Sequence, residues 1–232
     1  MSERAALRAS AAHVFVDDLD RPQLDERDEH HLARVLRLRD GEVVTVGDGR
    51  GSWRTARWHK SGPIVDGPSV TVPAPRTVTI AAAIPKGDRV DWMVQKLVEV
   101  GVMCIVLVDC RRSVVRWQPE RRATQLDRLR RVGRDAAMQS RRVWLPAVRG
   151  PVPLADVRTS GGDVVMADPD GVAFERIAVR PAVVVIGPEG GWDPAETSAA
   201  QLVSLGDHVL RVETAAVVAA VLAGRSGDVG WC

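Results

Sequence analysis

Four consecutive β-branched residues, Val183-Val184-Val185-Ile186, run without a polar neighbour straight into Gly187-Pro188-Glu189-Gly190-Gly191. A strand with no alternation has no face to show to water, so it must be covered on both sides, and helices covering a mostly parallel sheet meet that need. The rest of the chain beyond residue 76 keeps the same rhythm. Thr77–Ala83, Cys104–Val108, Asp163–Ala167 and Ala182–Ile186 read as strands. Between them, Asp88–Val100 is predicted as a helix with Val90, Met93, Val94, Leu97 and Val98 on one stripe and Gly101 as its stop. Pro119 opens a second helix to about Gln139, with Leu126, Leu129 and Val132 facing inward, and Pro194–Ser204 and Thr214–Ala223 are predicted as further helices. Alternating strand and helix over this length specifies an α/β domain.

The first third has a different period. Residues 13–72 alternate polar and apolar over Glu42–Val46 and Gly51–Trp58, and are broken at Asp40-Gly41, Asp48-Gly49 and Ser61-Gly62-Pro63. Such turn dipeptides at close spacing predict a small β-barrel or sandwich. Asp25 to Leu38 interrupts it as a predicted helix, with Leu32, Val35, Leu36 and Leu38 near helical spacing. Pro68, Pro73 and Pro75 mark a stiff linker, so the expected division is 1–72 and 76–232. A chain of 232 residues can bury a core in each part without disulfides or metals. Its three cysteines, Cys104, Cys110 and Cys232, lack any C-x-x-C or histidine spacing for zinc and read as reduced thiols. The charged start has no apolar signal region, and the stretch near Ala215–Ala223 is about half the roughly 20 residues a membrane helix needs. The expectation is a cytoplasmic protein with no membrane contact and no metal.

A net charge of +2 conceals an asymmetry. Residues 1–75 hold 11 Lys/Arg against 12 Asp/Glu, residues 76–150 hold 16 against 7, and residues 151–232 hold 5 against 11. The middle segment therefore carries the positive field, which suits a polyanion whose condensed counterions are released on binding. Arginine outnumbers lysine 29 to 3, and a GC-rich genome explains that preference but not the clustering.

The glycine turn after Ile186 is followed by Asp193 as a cap and Pro194 at a first helical position, so backbone groups there can approach a ligand closely. Neither G-x-G-x-x-G nor G-x-x-x-x-G-K-[ST] is present, and Glu189 inside the turn would repel a pyrophosphate. A second group lies in Leu205–Ala216, where a short strand is expected to deliver Arg211 and Glu213 to the mouth of an apolar helix. In isolation such a pair is as compatible with a surface ion pair as with catalysis.

Taken together, these segments resemble the RsmE-type family of 16S ribosomal RNA uridine N3-methyltransferases, in the SPOUT class. The resemblance runs nearly end to end. It rests on His31–Arg37, Asp48-Gly49-Arg50-Gly51, Lys86-Gly87-Asp88-Arg89, Gln95–Val102, Arg112-Ser113, Gln139–Arg142, the Gly187–Gly191 turn and Leu210–Ala215. Val212 stands where the family often has threonine, Met138 where a charged residue is common, and Val98 and Val100 replace a small residue and a leucine.

The resemblance implies a PUA-like N-terminal β-barrel that binds RNA and a C-terminal SPOUT-like α/β domain whose end is threaded into a trefoil knot. It implies S-adenosyl-L-methionine as cofactor, 16S rRNA or the small ribosomal subunit as partner, and a homodimer with each site near the subunit boundary. Carried onto this chain, one cofactor loop is Met166, Ala167 and Asp168, and a second is Ile186, Gly187, Pro188, Glu189, Gly190 and Gly191. The third comprises Leu205, Gly206, Val209, Leu210, Arg211, Thr214 and Ala215. Uracil N3–H is a weak acid, so the catalytic expectation falls on Arg211, to stabilise charge on the base or orient it. Glu213 is expected to position Arg211 or take the proton, unless it only complements the helix dipole. N3 lies on the Watson–Crick edge, so the uridine must be unpaired, and the flanking RNA must be gripped. The residues expected to track phosphates are Arg34, Arg37 and Arg39, then Lys86, Arg89, Arg111, Arg112 and Arg116, then Arg141 and Arg142. Two other readings stay open: a SPOUT enzyme acting on transfer RNA or a ribose hydroxyl, and an RNA-binding assembly protein without catalysis. A nucleotide hydrolase is disfavoured, since no Ser-His-Asp order, metal cluster or Walker lysine can be assembled.

Overall fold

The computed structural model describes residues 3–75, 78–159, 162–178 and 181–225. Two compact units emerge: residues up to Ala74 together with Asp135–Leu145, and Pro75–Arg134 together with the chain from Pro146 onward.

The first unit contains α1 (Glu3–Ala9), β1 (Ala12–Phe15), α2 (Glu26–His30), β2 (Val43–Gly47), β3 (Ser52–His59), β4 (Gly62–Val65) and β5 (Val70–Thr71). Its sheet runs β1-β2-β3-β4, with β5 added to β3. The turn into β3 is held by Asp48, whose Oδ1 accepts from the Arg50 and Ser52 amides at 2.7 and 3.0 Å. Alternation along β2 and β3 sends Val44, Val46, Ala56 and Trp58 to a core completed by Val14, Leu32 and Met138. That methionine belongs to the returning segment, which is stitched in by two backbone bonds and one from an indole. Gly51 N–H donates to Val143 O, Leu145 N–H to Gly49 O, and Trp144 Nε1 to Val72 O. A side chain at Gly51 would meet the Trp144 ring at 2.6 Å, so the close approach requires glycine there.

The helix expected over Asp25–Leu38 is shorter and partly of another kind. Asp25 caps α2 through the Asp28 amide at 2.7 Å, but His31–Val35 is a π-helical turn, closed by Leu36 N–H to His31 O. The wider turn rotates the apolar stripe. Leu32 stays buried, whereas Val35 and Leu36 are 60% and 44% exposed, not inward.

The second unit contains β6 (Thr79–Ala83), α3 (Arg89–Glu99), β7 (Cys104–Asp109), α4 (Pro119–Gln139, whose residues beyond Arg134 count with the first unit), β8 (Ala147–Pro153) and α5 (Leu154–Arg158). It continues with β9 (Val164–Ala173), β10 (Val183–Ile186), α6 (Pro194–Thr197), β11 (Gln201–Ser204) and α7 (Val212–Arg225). The sheet order is β11-β9-β10-β6-β7-β8, and every neighbouring pair is parallel. Both faces are covered, as the unbroken apolar strands require. Ala81, Ala83, Val183, Val185 and Met166 pack with Leu154 and Val157 of α5 on one face. Ile80, Ala82, Val184 and Ile186 are buried with the opposite parity, and α7 lies on β6, β10 and α3. Small residues make that approach possible: Ala215, Ala216, Ala219, Ala220 and Ala223 of α7 are all buried.

Two expectations at the end of the chain are corrected. Pro194–Ser204 is not one helix. It ends at Thr197, Ser198 is extended, Ala199 takes φ 57°, and Gln201–Ser204 adds β11 to the edge of β9. Nor does a strand deliver Arg211: residues 205–211 form a loop, and Val212 and Glu213 are already helical. Thr77 and Cys232 lie outside the described residues. Among the described residues, no helix is long and apolar enough to cross a membrane.

Candidate active site

The order of the sheet turns beside β6. From β6 the chain moves outward through β7 and β8, then returns on the other side with β9 and β10. In an open parallel sheet, the crevice outside the strand ends at such a point is where ligands bind. Here it is flanked by the loop after β6, which carries Lys86 and Gly87, and by the Gly187–Gly191 turn after β10.

Arg89 stands at the first turn of α3 and joins the two. Its Nε donates to Lys86 O at 3.1 Å, which fixes the plane of the guanidinium. Nη1 lies 3.4 Å from Glu213 Oε1 and Nη2 3.9 Å from Glu189 Oε1. One cation thus faces a carboxylate of the glycine turn and a carboxylate of the first turn of α7. The Glu213 side chain is only 8% exposed, and its Oε2 is buried without a hydrogen-bond partner among the described residues. A buried carboxylate is costly unless paired, and Arg89 together with the α7 N-terminus offsets that cost on one oxygen. Of the two roles expected for Glu213, positioning Arg211 or taking the proton, the first finds no contact here: the structure pairs Glu213 with Arg89 and leaves Arg211 exposed.

The turn is tied to the strand beside it by Trp192. Its Nε1 donates to Ala167 O at 2.9 Å, and its ring covers Gly187 so closely that a Cβ there would lie 2.8 Å from the indole. Ala167 stays paired with Ile186 of β10, but against β11 the register of β9 shifts between the pairs Met166–Leu202 and Val172–Val203, and Asp168 Oδ1 accepts from the Asp170 amide. Pro188 is buried, and Gly191 N–H closes the turn on Pro188 O at 2.9 Å with φ 69°. Past the turn, Asp193 and Glu196 form a reciprocal capping box, and the buried Glu196 also accepts from the Arg111 amide at 2.7 Å. Burial, and secondarily the Glu196 charge, pushes the nearby Cys110 thiol up to about 12.

Three expected cofactor segments therefore end differently. Met166, Ala167 and the Ile186–Gly191 turn converge through Trp192, and Glu213 reaches the turn through Arg89. Leu205, Gly206, Val209 and Leu210 lie in the loop before α7, where Val209 is 85% exposed and Ser204 Oγ donates to Gly206 O. Thr214 is exposed and Ala215 buried at the start of α7. Trp192 went unassigned in the sequence as a strut, and Arg89, expected on RNA phosphates, is instead engaged with Glu213 and the Lys86 carbonyl. An indole directly following a double glycine was the signal for the strut.

The arginines expected on RNA also separate. Arg34, Arg37 and Arg39 are exposed around the π-helical turn, and Arg37 takes φ 54°. Lys86 and Arg112 are exposed on the second unit, with Arg112 Nη1 3.5 Å from Gly190 O. Arg111 faces Asp193 at 3.4 Å, and Arg116 Nη2 donates to the Cys110 and Arg111 carbonyls. Arg141 is spent inside the first unit, donating to Ser10 O and Ala11 O at 2.9 and 3.1 Å. Arg142 is half-buried there, and the solvation it loses lowers its guanidinium to about 10.

Comparison with known proteins points the same way. Residues 72–224 match the model of an RNA methyltransferase domain, and residues 24–57 that of an RNA methyltransferase PUA domain. The chain is 33% identical over 220 residues to the ribosomal RNA small subunit methyltransferase E of Mycobacterium bovis, covering 84% of this chain and 83% of that one. A crystal structure of the Neisseria gonorrhoeae protein of that name, bound to S-adenosyl methionine, superposes with a TM-score of 0.78 at 27% identity, covering 92% and 96% of the two chains. A Legionella pneumophila protein in complex with the bound cofactor SAM gives 0.81 at 28%, covering 93% and 97%.

Proposed function

The chain belongs to the ribosomal RNA small subunit methyltransferase E family, and from that premise we propose that it transfers a methyl group from S-adenosylmethionine to N3 of a uridine in 16S ribosomal RNA. The observation that carries this reading is the single guanidinium of Arg89 facing both Glu189 and Glu213, which brings the glycine turn and the start of α7 to one crevice.

The residues present fit the cofactor. Gly190 and Gly191 leave the turn without side chains, and a Cβ at Gly191 would meet nothing within 4 Å, so a ligand can lie against the turn's backbone. Glu189, Glu213 and Asp168 favour a cationic sulfonium over a phosphate. Met166–Asp168, Ile186–Gly191 and Leu205–Ala215 would hold it. When bound, it supplies an electrophilic methyl carbon. Glu213 is the shielded carboxylate on hand for a base proton, and the exposed Arg211 orients the incoming uracil or balances its developing charge. Arg34, Arg37, Arg39, Lys86 and Arg112 hold the flanking RNA, while Arg141 and Arg142 secure the fold of the first unit. Val217, Val218 and Val221 on the outer side of α7 form a homodimer seam, checked by whether the 25.2 kDa chain sediments as twice its mass.

Labelled cofactor is incubated with small ribosomal subunits or deproteinised RNA, and the methylated base is mapped. Label at N3 of a uridine in 16S RNA is the expected result. Label on a ribose or only in transfer RNA overturns the substrate, and no label together with no cofactor binding by calorimetry overturns the enzyme.

A further inference from the structure

We infer that Arg89 is a positioning residue for the methyl transfer: it clamps Glu213 by Oε1 and so presents Oε2 as the atom that accepts the N3 proton. The inference rests on the methyltransferase reading and extends it to a residue with no assigned part in the reaction.

Three observations converge. First, the guanidinium is held at Nε by a backbone carbonyl of its own preceding loop, so its orientation does not depend on either carboxylate. Second, its two terminal nitrogens face Glu213 at 3.4 Å and Glu189 at 3.9 Å, and the nearer partner is also the more buried, at 8% against 30% exposed. Third, the remaining oxygen of Glu213 is buried and has no hydrogen-bond partner among the described residues. A buried acceptor left open is costly, and such an atom is retained where a ligand group completes it.

The chemistry balances through that oxygen. The N3–H bond breaks and its proton passes to Oε2. The nitrogen electron pair freed in this way forms the N–CH3 bond, and the bond from methyl to sulfur breaks with its pair remaining on sulfur. Arg211, exposed on the loop before α7, is left free to meet the base from the solvent side. Arg89 touches neither proton nor methyl group. Its work is to prevent Glu213 from turning away.

Arg89→Gln, Arg89→Lys, Glu213→Gln and the Arg89→Gln/Glu213→Gln double variant are compared by turnover, by cofactor Kd from calorimetry and by thermal unfolding of the cofactor-free protein. Arg89→Gln is expected to lower kcat about 10²-fold with KM for RNA and cofactor Kd within about threefold of the parent. Arg89→Lys should recover most of kcat, and the double variant should be no slower than Glu213→Gln alone, since both act through one group. Cofactor-free Arg89→Gln should unfold at lower temperature than the parent, and adding Glu213→Gln should raise that temperature again, because the unpaired buried carboxylate is gone. Parental kcat in Arg89→Gln beside an impaired Glu213→Gln would overturn the positioning role alone. Independent, multiplicative losses in the double variant would do the same. An inactive parent that binds no cofactor would instead remove the reading underneath.

Discussion

At the residue scale, the second unit shows how burial decides which groups are chemically available. Glu213 is shielded yet paired on one side, whereas Cys110 is shielded and held protonated up to about 12. In the unfolded chain that thiol ionises near its ordinary value of 9.0. Between those values the unfolded state has released a proton that the folded state keeps, so stability declines as pH rises from 9 toward 12. The melting temperature of the parent should therefore drop more steeply over that alkaline range than that of Cys110→Ala; parallel curves would show that burial does not hold the thiol. The cysteine was readable as a reduced thiol, but its neighbour Glu196 was not, because the two are brought together only by the fold.

At the element scale, the site depends on a turn of five residues braced by an indole. Trp192 spans from Gly187 to Ala167 O and so holds the end of β10 and the neighbouring part of β9 as one surface. Gly187→Ala places a methyl group 2.8 Å from that ring, and the indole must tilt away and give up its hydrogen bond. Cofactor affinity should weaken by about tenfold or more, while far-ultraviolet circular dichroism stays unchanged because β10 itself is untouched. An unaltered dissociation constant for Gly187→Ala would mean that the turn does not shape the cofactor site. The strand and the turn were legible from Val183 to Gly191, since contiguous apolar residues and glycines act locally. The short strand β11 was not. Leu202 and Val203 are too brief a run to mark a strand, and it is the open edge of β9 that recruits them.

At the scale of the whole molecule, the charge asymmetry becomes a measurable property. Exposed Arg34, Arg37 and Arg39 belong to the first unit, and exposed Lys86 and Arg112 to the second. If they contact phosphates, RNA affinity should fall steeply with salt, and replacing Arg34, Arg37 and Arg39 together by alanine should reduce the log–log slope by roughly two to three. A slope indifferent to that triple replacement would refute the grip. The chain alone determined the parallel α/β unit, the small β unit, the stripe of α3, the span of α4 and the glycine turn, because each is written in contiguous residues through period, capping and turn chemistry. Only the tertiary structure decided that Asp135–Leu145 returns to the first unit, that Arg141 and Arg142 face inward, and that Glu213 pairs with Arg89, 124 positions away, in place of Arg211. Those are choices among partners distant in sequence, and they are made by whichever packing leaves the fewest buried charges and carbonyls unmatched.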